Sequence, residues 1–245
     1  MDNVLIINKE ESLLEICLNH PENGNRLTMD MIEILSDALR NMTPATKLVV
    51  LKAQGPDFCL GRDYGSAPEE KNAQRLAPRA SDIRAGMTSP IIALYSALRG
   101  LPVPSLALVR GVAQGFGCAM AGACDLVLAS DQSRFSLPEM GERRLPPTLA
   151  MSALWNRAAY RPLTYMVFSL SQIDAYAAQQ AGIVSEVVSE RDFERRACAL
   201  IDTILEQPVD AIRAVTEYLR HAPTLSDGPR AAMGEHLFAN VMSSR

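Results

Sequence analysis

The chain has 245 residues, 48% of them hydrophobic, and a formal net charge of −4. That is enough apolar material for one large domain or two small ones with a sizeable buried core. There is no basic stripe of the kind a nucleic-acid binder carries, and no uncharged apolar run reaches the roughly 18 residues of a membrane span. The stretch MDNVLIINKEES has acidic residues where a secretory leader would place Lys or Arg. The expectation is a soluble cytoplasmic protein with neither nucleic-acid nor membrane partners. The five cysteines (Cys17, Cys59, Cys118, Cys124, Cys198) form no CxxC pair and no zinc-ligand spacing with histidine. They are expected mostly as buried small apolar side chains, with no metal site.

In chain order, VLIIN and SLLEICLN predict a β-hairpin, the second strand alternating Leu14, Ile16, Leu18 against Leu13, Glu15, Cys17. HPENGN is a turn cluster, after which Thr28 can cap a helix over TMDMIEILSDALRNM. Its apolar face is expected at Met31, Ile34, Leu35 and Ala38, widened by Leu39. KLVVLKA, SLALVRG and DLVLAS read as buried strands, and their alternation with helical segments predicts α/β architecture with parallel strands. The polar, weakly periodic stretch from Tyr64 to Ser89 is expected as a mobile, substrate-covering loop. From about Pro146 the pattern is mainly helical with one short strand at GIVSEVV, and the helices from Gln207 onward carry exposed charges. The division expected is a core over 1–190 and a helical carboxy-terminal region over 191–245.

Three stretches can carry chemistry. FCLGRD, Phe58 to Asp63, follows a strand, and Gly61 permits a sharp bend that can turn a backbone N–H into a cleft. An ordinary surface turn fits the same residues. GFGCAMAGACD, Gly115 to Asp125, bends from a strand into a helix whose first N–H groups suit a developing negative charge. Close helix–strand packing would need the same glycines. It is neither a dinucleotide fingerprint, because Met120 stands at the third glycine, nor a P-loop, because no GK[ST] follows. In FSLPEMGERRLPP, Glu139 follows a proline in an apolar setting, where shielding would raise its pKa into a range useful for proton transfer. A solvent-facing glutamate, or one kept ionised by Arg143 or Arg144, are the alternatives. With no GxSxG elbow and no histidine beside a nucleophile motif, paired amides plus one carboxylate suggest enolate chemistry rather than triad hydrolysis.

Taken together, LNHPENGNRLTMDMIEIL, FCLGRD, VRGVAQGFGCAMAGACDLVLAS, RFSLPE and IDAYAAQQAGIVSEVV resemble, in order and spacing, motifs of the crotonase superfamily, the enoyl-CoA hydratase/isomerase family. The resemblance implies a crotonase-like spiral of ββα units with a helical carboxy-terminal region, assembled as a homotrimer or homohexamer. It implies an acyl-CoA substrate and no separate cofactor, coenzyme A entering as part of the thioester. Motif matching places the two thioester-binding N–H groups on Leu60 and Phe116, with Glu139 as the proton shuttle. Arg26, Gly61, Arg62, Asp63, Gly115, Gly117, Ala119, Glu142 and Arg143 are the expected substrate contacts.

The departure is at Ala119, where hydratases of the family typically carry a first glutamate. Glu139 matches the second. Double-bond isomerisation needs one base, while hydration usually positions its water with two groups. Relatives with a single carboxylate isomerise, decarboxylate, hydrolyse or cleave carbon–carbon bonds. A catalytically weak member kept for binding or assembly is the alternative of a different class. A family glycine is replaced by Arg143, and the basic residue often found on the late helix falls near Thr216. Arg26, Arg62, Arg213 and Arg220 are candidates for the CoA phosphate contact it would have made.

Overall fold

The computed structural model describes residues 5–65, 79–142 and 144–243. β1 (Leu5–Lys9) and β2 (Leu13–Leu18) form the expected antiparallel hairpin, with Ile7 opposite Ile16. Thr28 caps α1 (Met29–Arg40), its Oγ1 accepting the Met31 N–H at 3.3 Å and satisfying one amide the helix start leaves open. Met31, Leu35, Ala38 and Leu39 face inward as expected, but Ile34 is 48% exposed and Ile32 is buried in its stead. Both positions flank the apolar stripe. The helix has turned so that the edge through Ile32, Leu35 and Leu39 meets the core.

β3 (Leu48–Ala53) is followed by the short α2 (Ala80–Ile83), a π-turn over Arg84–Thr88, and α3 (Ser89–Arg99). Part of the stretch expected as a mobile loop is therefore helical, and residues 66–78 of it lie outside the described residues. Next come β4 (Ser105–Val109), β5 (Val112–Gln114), α4 (Phe116–Ala123), β6 (Leu126–Ser130) and β7 (Arg134–Ser136). They lead into α5 (Glu139–Glu142), α6 (Thr148–Leu154), α7 (Tyr160–Ser169), β8 (Ile173–Asp174), α8 (Ala175–Gln180) and β9 (Glu186–Val188). The chain ends in α9 (Phe193–Leu205), α10 (Val209–His221) and α11 (Asp227–Ser243). Among the described residues no helix is long and apolar enough to cross a membrane.

The larger sheet runs β1-β2-β3-β4-β6-β9, parallel from β2 onward, and the smaller runs β5-β7-β8. The central parallel strands are unbroken apolar runs because both of their faces are covered. Val49, Leu51, Ala107 and Val109 enter the main core beneath α1, α3 and α4, while Leu48, Val50, Leu106, Leu108 and Leu128 meet Phe193 and Ala197 of α9. Cys17, Cys59, Cys118 and Cys124 are buried and unpaired as expected, and Cys198 is exposed.

Candidate active site

The site grows out of the strand ends. Cys59 bridges in parallel to Ala113, its N–H reaching Val112 O at 3.1 Å while its carbonyl accepts the Gln114 N–H at 2.9 Å. On its other edge the turn bridges Leu27 to Arg62, through Leu27 N–H to Gly61 O at 3.1 Å and Asp63 N–H to Leu27 O at 2.9 Å. This clamping corrects one expectation. The Leu60 N–H already donates to Gly24 O at 2.9 Å, so it is not open to a substrate oxygen. The open amide of the turn belongs to Arg62: the bridge directs the Arg62 N–H away from Leu27, and it has no partner among the described residues.

Across the cleft, Gly115 donates its N–H to Ser136 O at 2.8 Å and turns the chain with φ +54° and ψ −116°. That conformation belongs to glycine. α4 then begins at Phe116, whose N–H lies in the first turn, where a helix has no internal acceptor to offer. Among the described residues it has no partner. A Cβ on Gly117 would stand 2.2 Å from Cys59 O, so this glycine lets the start of α4 close onto the FCLGRD turn. Gly117 thus serves close helix–strand packing, while the turn at Gly115 precedes the Phe116 N–H, which has no partner among the described residues.

Glu139 opens α5 with its carboxylate against that same corner. A Cβ on Gly115 would come within 2.9 Å of its Oε1, and its Oε2 is buried without a hydrogen-bond partner. Burial pushes the carboxyl above its ordinary value, and the neighbouring charge of Glu142 adds to this. Burial rules out a solvent-facing Glu139, and no described arginine, Arg144 included, forms an ion pair with it. Arg143 lies outside the described residues. Glu142 takes the side-chain amide of Gln114 at 3.1 and 3.3 Å.

Arg62, Gly115, Phe116, Glu139 and Glu142 all line one cavity of about 420 Å³, within the range of small-molecule sites. Arg26, Leu60 and Gly61 line it as well, and Ile83, Met87, Ile91 and Leu149 supply apolar wall. Tyr95, 3% exposed, lies beneath, its ring 5.4 Å from that of Phe116. Sequence reasoning passed over Tyr95. Its one signal was a hydroxyl placed in the apolar stripe Ile91, Leu94, Tyr95, Leu98, where a buried tyrosine normally needs a partner. Among the described residues no group of three His, Cys, Asp or Glu could hold a metal ion.

Residues 8–245 match the family model described as enoyl-CoA hydratase/isomerase. The chain belongs to the enoyl-CoA hydratase/isomerase family. Among curated relatives, the mouse protein "Enoyl-CoA hydratase domain-containing protein 3, mitochondrial" is 29% identical over 214 residues, 86% of this chain and 68% of that one. The 2,3-dehydroadipyl-CoA hydratase of Escherichia coli K12 is 28% identical over 236 residues, 96% of this chain and 88% of that one. Among solved structures, an enoyl-CoA hydratase from Mycobacterium smegmatis superposes with TM-score 0.87 at 22% identity, covering 98% and 91% of the two chains. The α/β crotonase fold with its helical carboxy-terminal region is thus the architecture of this chain.

Within this crotonase frame, several expected substrate contacts have other duties. Ala119 is fully buried in the core and, with Gly117, is absent from the cavity lining. Asp63 also turns away, accepting from Asn23 Nδ2 at 2.9 Å and from the Gly65 N–H at 2.7 Å. Of the four arginines considered for phosphate, Arg220 pairs with Asp125 at 3.2 Å and Arg213 donates to the Pro44 carbonyl, leaving Arg26 and Arg62 on the cavity.

Proposed function

We propose that this crotonase is an acyl-CoA enzyme that stabilises a thioester enolate, with the Arg62 and Phe116 N–H groups on the thioester oxygen and Glu139 moving the proton. The unpaired, shielded Glu139 carboxylate beside the start of α4 carries the reading. Each oxyanion donor of this kind is typically worth about 10²–10³ in turnover. In the favoured reaction Glu139 takes a proton from C2 of a 3-enoyl thioester, and the electrons of that C–H bond move toward the thioester oxygen. The resulting carboxylic acid returns the proton to C4, leaving the double bond between C2 and C3. A single mobile carboxylate suffices, in keeping with alanine at Ala119.

Hydration is the second reading, favoured by Glu142, a further carboxylate on the same lining held by Gln114. There a water oxygen bonds to C3 and a proton to C2. Incubation of the protein with 2-enoyl and 3-enoyl thioesters, followed by mass analysis, separates the two. Hydration adds the mass of water, isomerisation leaves the mass unchanged while the double bond moves, and no turnover of either thioester overturns the proposal. Arg26, on the lining and bonded through its side chain only to the Asn23 carbonyl among the described residues, is assigned to the CoA phosphates. A homotrimer or paired trimer belongs to the same proposal, supported by Tyr160, Tyr165, Phe168 and Tyr176, which are all more than half exposed in the single chain. A monomeric mass in light scattering would remove that part.

A further inference from the structure

Most of the cavity wall needs nothing more than apolar contact, but Arg62 does. Its guanidinium lies 4.7 Å from the centre of the Tyr64 ring, and its Nε is buried without a hydrogen-bond partner. Among the described residues no carboxylate pairs with it, and its one acceptor is the Met87 carbonyl at 3.5 Å, at the outer limit of a hydrogen bond. Burial disfavours its charge, and no ion pair offsets this. Tyr95 has the complementary problem. Its hydroxyl makes no hydrogen bond among the described residues, and it lies close enough to feel the charges of both Arg62 and Glu139. Burial keeps that hydroxyl protonated and therefore a donor. Both donor groups thus line the same cavity as Glu139, and neither is paired with a carboxylate among the described residues.

We propose that the acyl group delivered to this cavity bears a carboxylate, received by the Arg62 guanidinium with the Tyr95 hydroxyl as second donor. The inference rests on the acyl-CoA reading above and names its substrate class: thioesters of short dicarboxylic acids. A purely apolar acyl chain would desolvate the guanidinium further and leave its Nε unpaired, which is costly for a buried charged donor. A carboxylate matches the planar fork of arginine and converts that cost into charge-assisted hydrogen bonds. Tyr64 holds the fork flat from one side. Substitution at Arg62 leaves its backbone N–H in place, so side chain and amide can be tested separately.

The experiment is calorimetric titration of the whole protein with saturated thioesters paired by carbon number: succinyl- with butyryl-CoA, glutaryl- with pentanoyl-CoA, adipyl- with hexanoyl-CoA, and free CoA alongside. At least one dicarboxylic thioester is expected to bind tenfold or more tighter than its partner. Arg62→Met should bring that ratio below about twofold, and Tyr95→Phe should reduce it about threefold, with free CoA unchanged in both variants. A wild-type ratio near one overturns the proposal whether or not either variant folds. So does an Arg62→Met loss of equal size for free CoA, which would assign the guanidinium to a CoA phosphate. Absence of binding by free CoA and all six thioesters would overturn the acyl-CoA reading itself, and this inference with it. Binding of all six with no dicarboxylic preference overturns the inference alone.

Discussion

The two ends of α4 treat a carboxylate in opposite ways. At its start, Glu139 lies against Gly115 with Oε2 buried and unpartnered, and desolvation outweighs any help from the helix dipole. Just past its end, Asp125 accepts the Ser105 N–H and hydroxyl at 3.0 Å each and pairs with Arg157 and Arg220 at 3.2 Å each. The dipole disfavours an anion there, and two guanidinium groups outweigh it. One short buried helix therefore separates a carboxylate left available for proton transfer from one committed to holding β4, α10 and the α6–α7 connection together. Unsatisfied hydrogen bonding, more than burial, distinguishes the proposed proton shuttle from the structural carboxylate.

The largest effect that could break this contrast is on turnover. Glu139→Gln keeps the shape but cannot accept a proton, and kcat should fall about 10²–10⁴-fold, with thioester affinity within about twofold by calorimetry. An unchanged kcat would place the proton shuttle elsewhere. At the other end, Asp125→Ala leaves Arg220 shielded, with only the Val103 carbonyl at 3.4 Å among the described residues. Stability to urea should drop by about 3 kcal/mol, the usual cost of stranding a shielded charge, and a loss below about 1 kcal/mol would mean the cluster is dispensable.

Gly115→Ala tests the corner itself. A Cβ there meets Glu139 Oε1 at 2.9 Å on a backbone suited to glycine, so a loss of about 1–3 kcal/mol is expected. The acid limb of the kcat/KM profile should shift with it, because the carboxylate is displaced. The smallest effect is a gain. The folded-state pKa of Glu139 is raised, so the folded protein holds that proton more firmly than the unfolded chain does. Wild-type stability from this group is complete below the ordinary value near 4.5 and is lost as pH rises through the folded-state value. Glu139→Gln removes that loss, so its Tm should exceed wild type by a few degrees at pH 8 and match it at pH 4. The activity limb should rise with pH over the same window, above the usual carboxylate range.

Legibility in the sequence followed element length and periodicity. The β1–β2 hairpin, α1 and the three central strands announced themselves through alternation, capping and unbroken apolar runs. β5, β7 and β8 did not, because two or three residues cannot express a period. Those strands place Gly115 against Ser136, so the motif was legible and the framework aiming it was not. Matching the FCLGRD turn by residue type put the open amide on Leu60, while the hydrogen bonds put it on Arg62, two residues on. Strand pairing decides which N–H is spare, and that information lies in Gly24 and Leu27, far from the motif. Glu139 was legible from its proline and apolar neighbours. Tyr95 reaches the cavity from α3 only through tertiary packing.

The parallel bridge between Leu27 and Arg62 has a consequence for how such a site can diversify. Hydrogen bonds to the main chain on either side of residue 62 fix its amide whatever side chain other than proline it bears. The same residue can thus hold its backbone donor constant while its side chain is exchanged, so under the proposed function a library of the non-proline residues at this single codon would sample new acyl preferences without moving the amide.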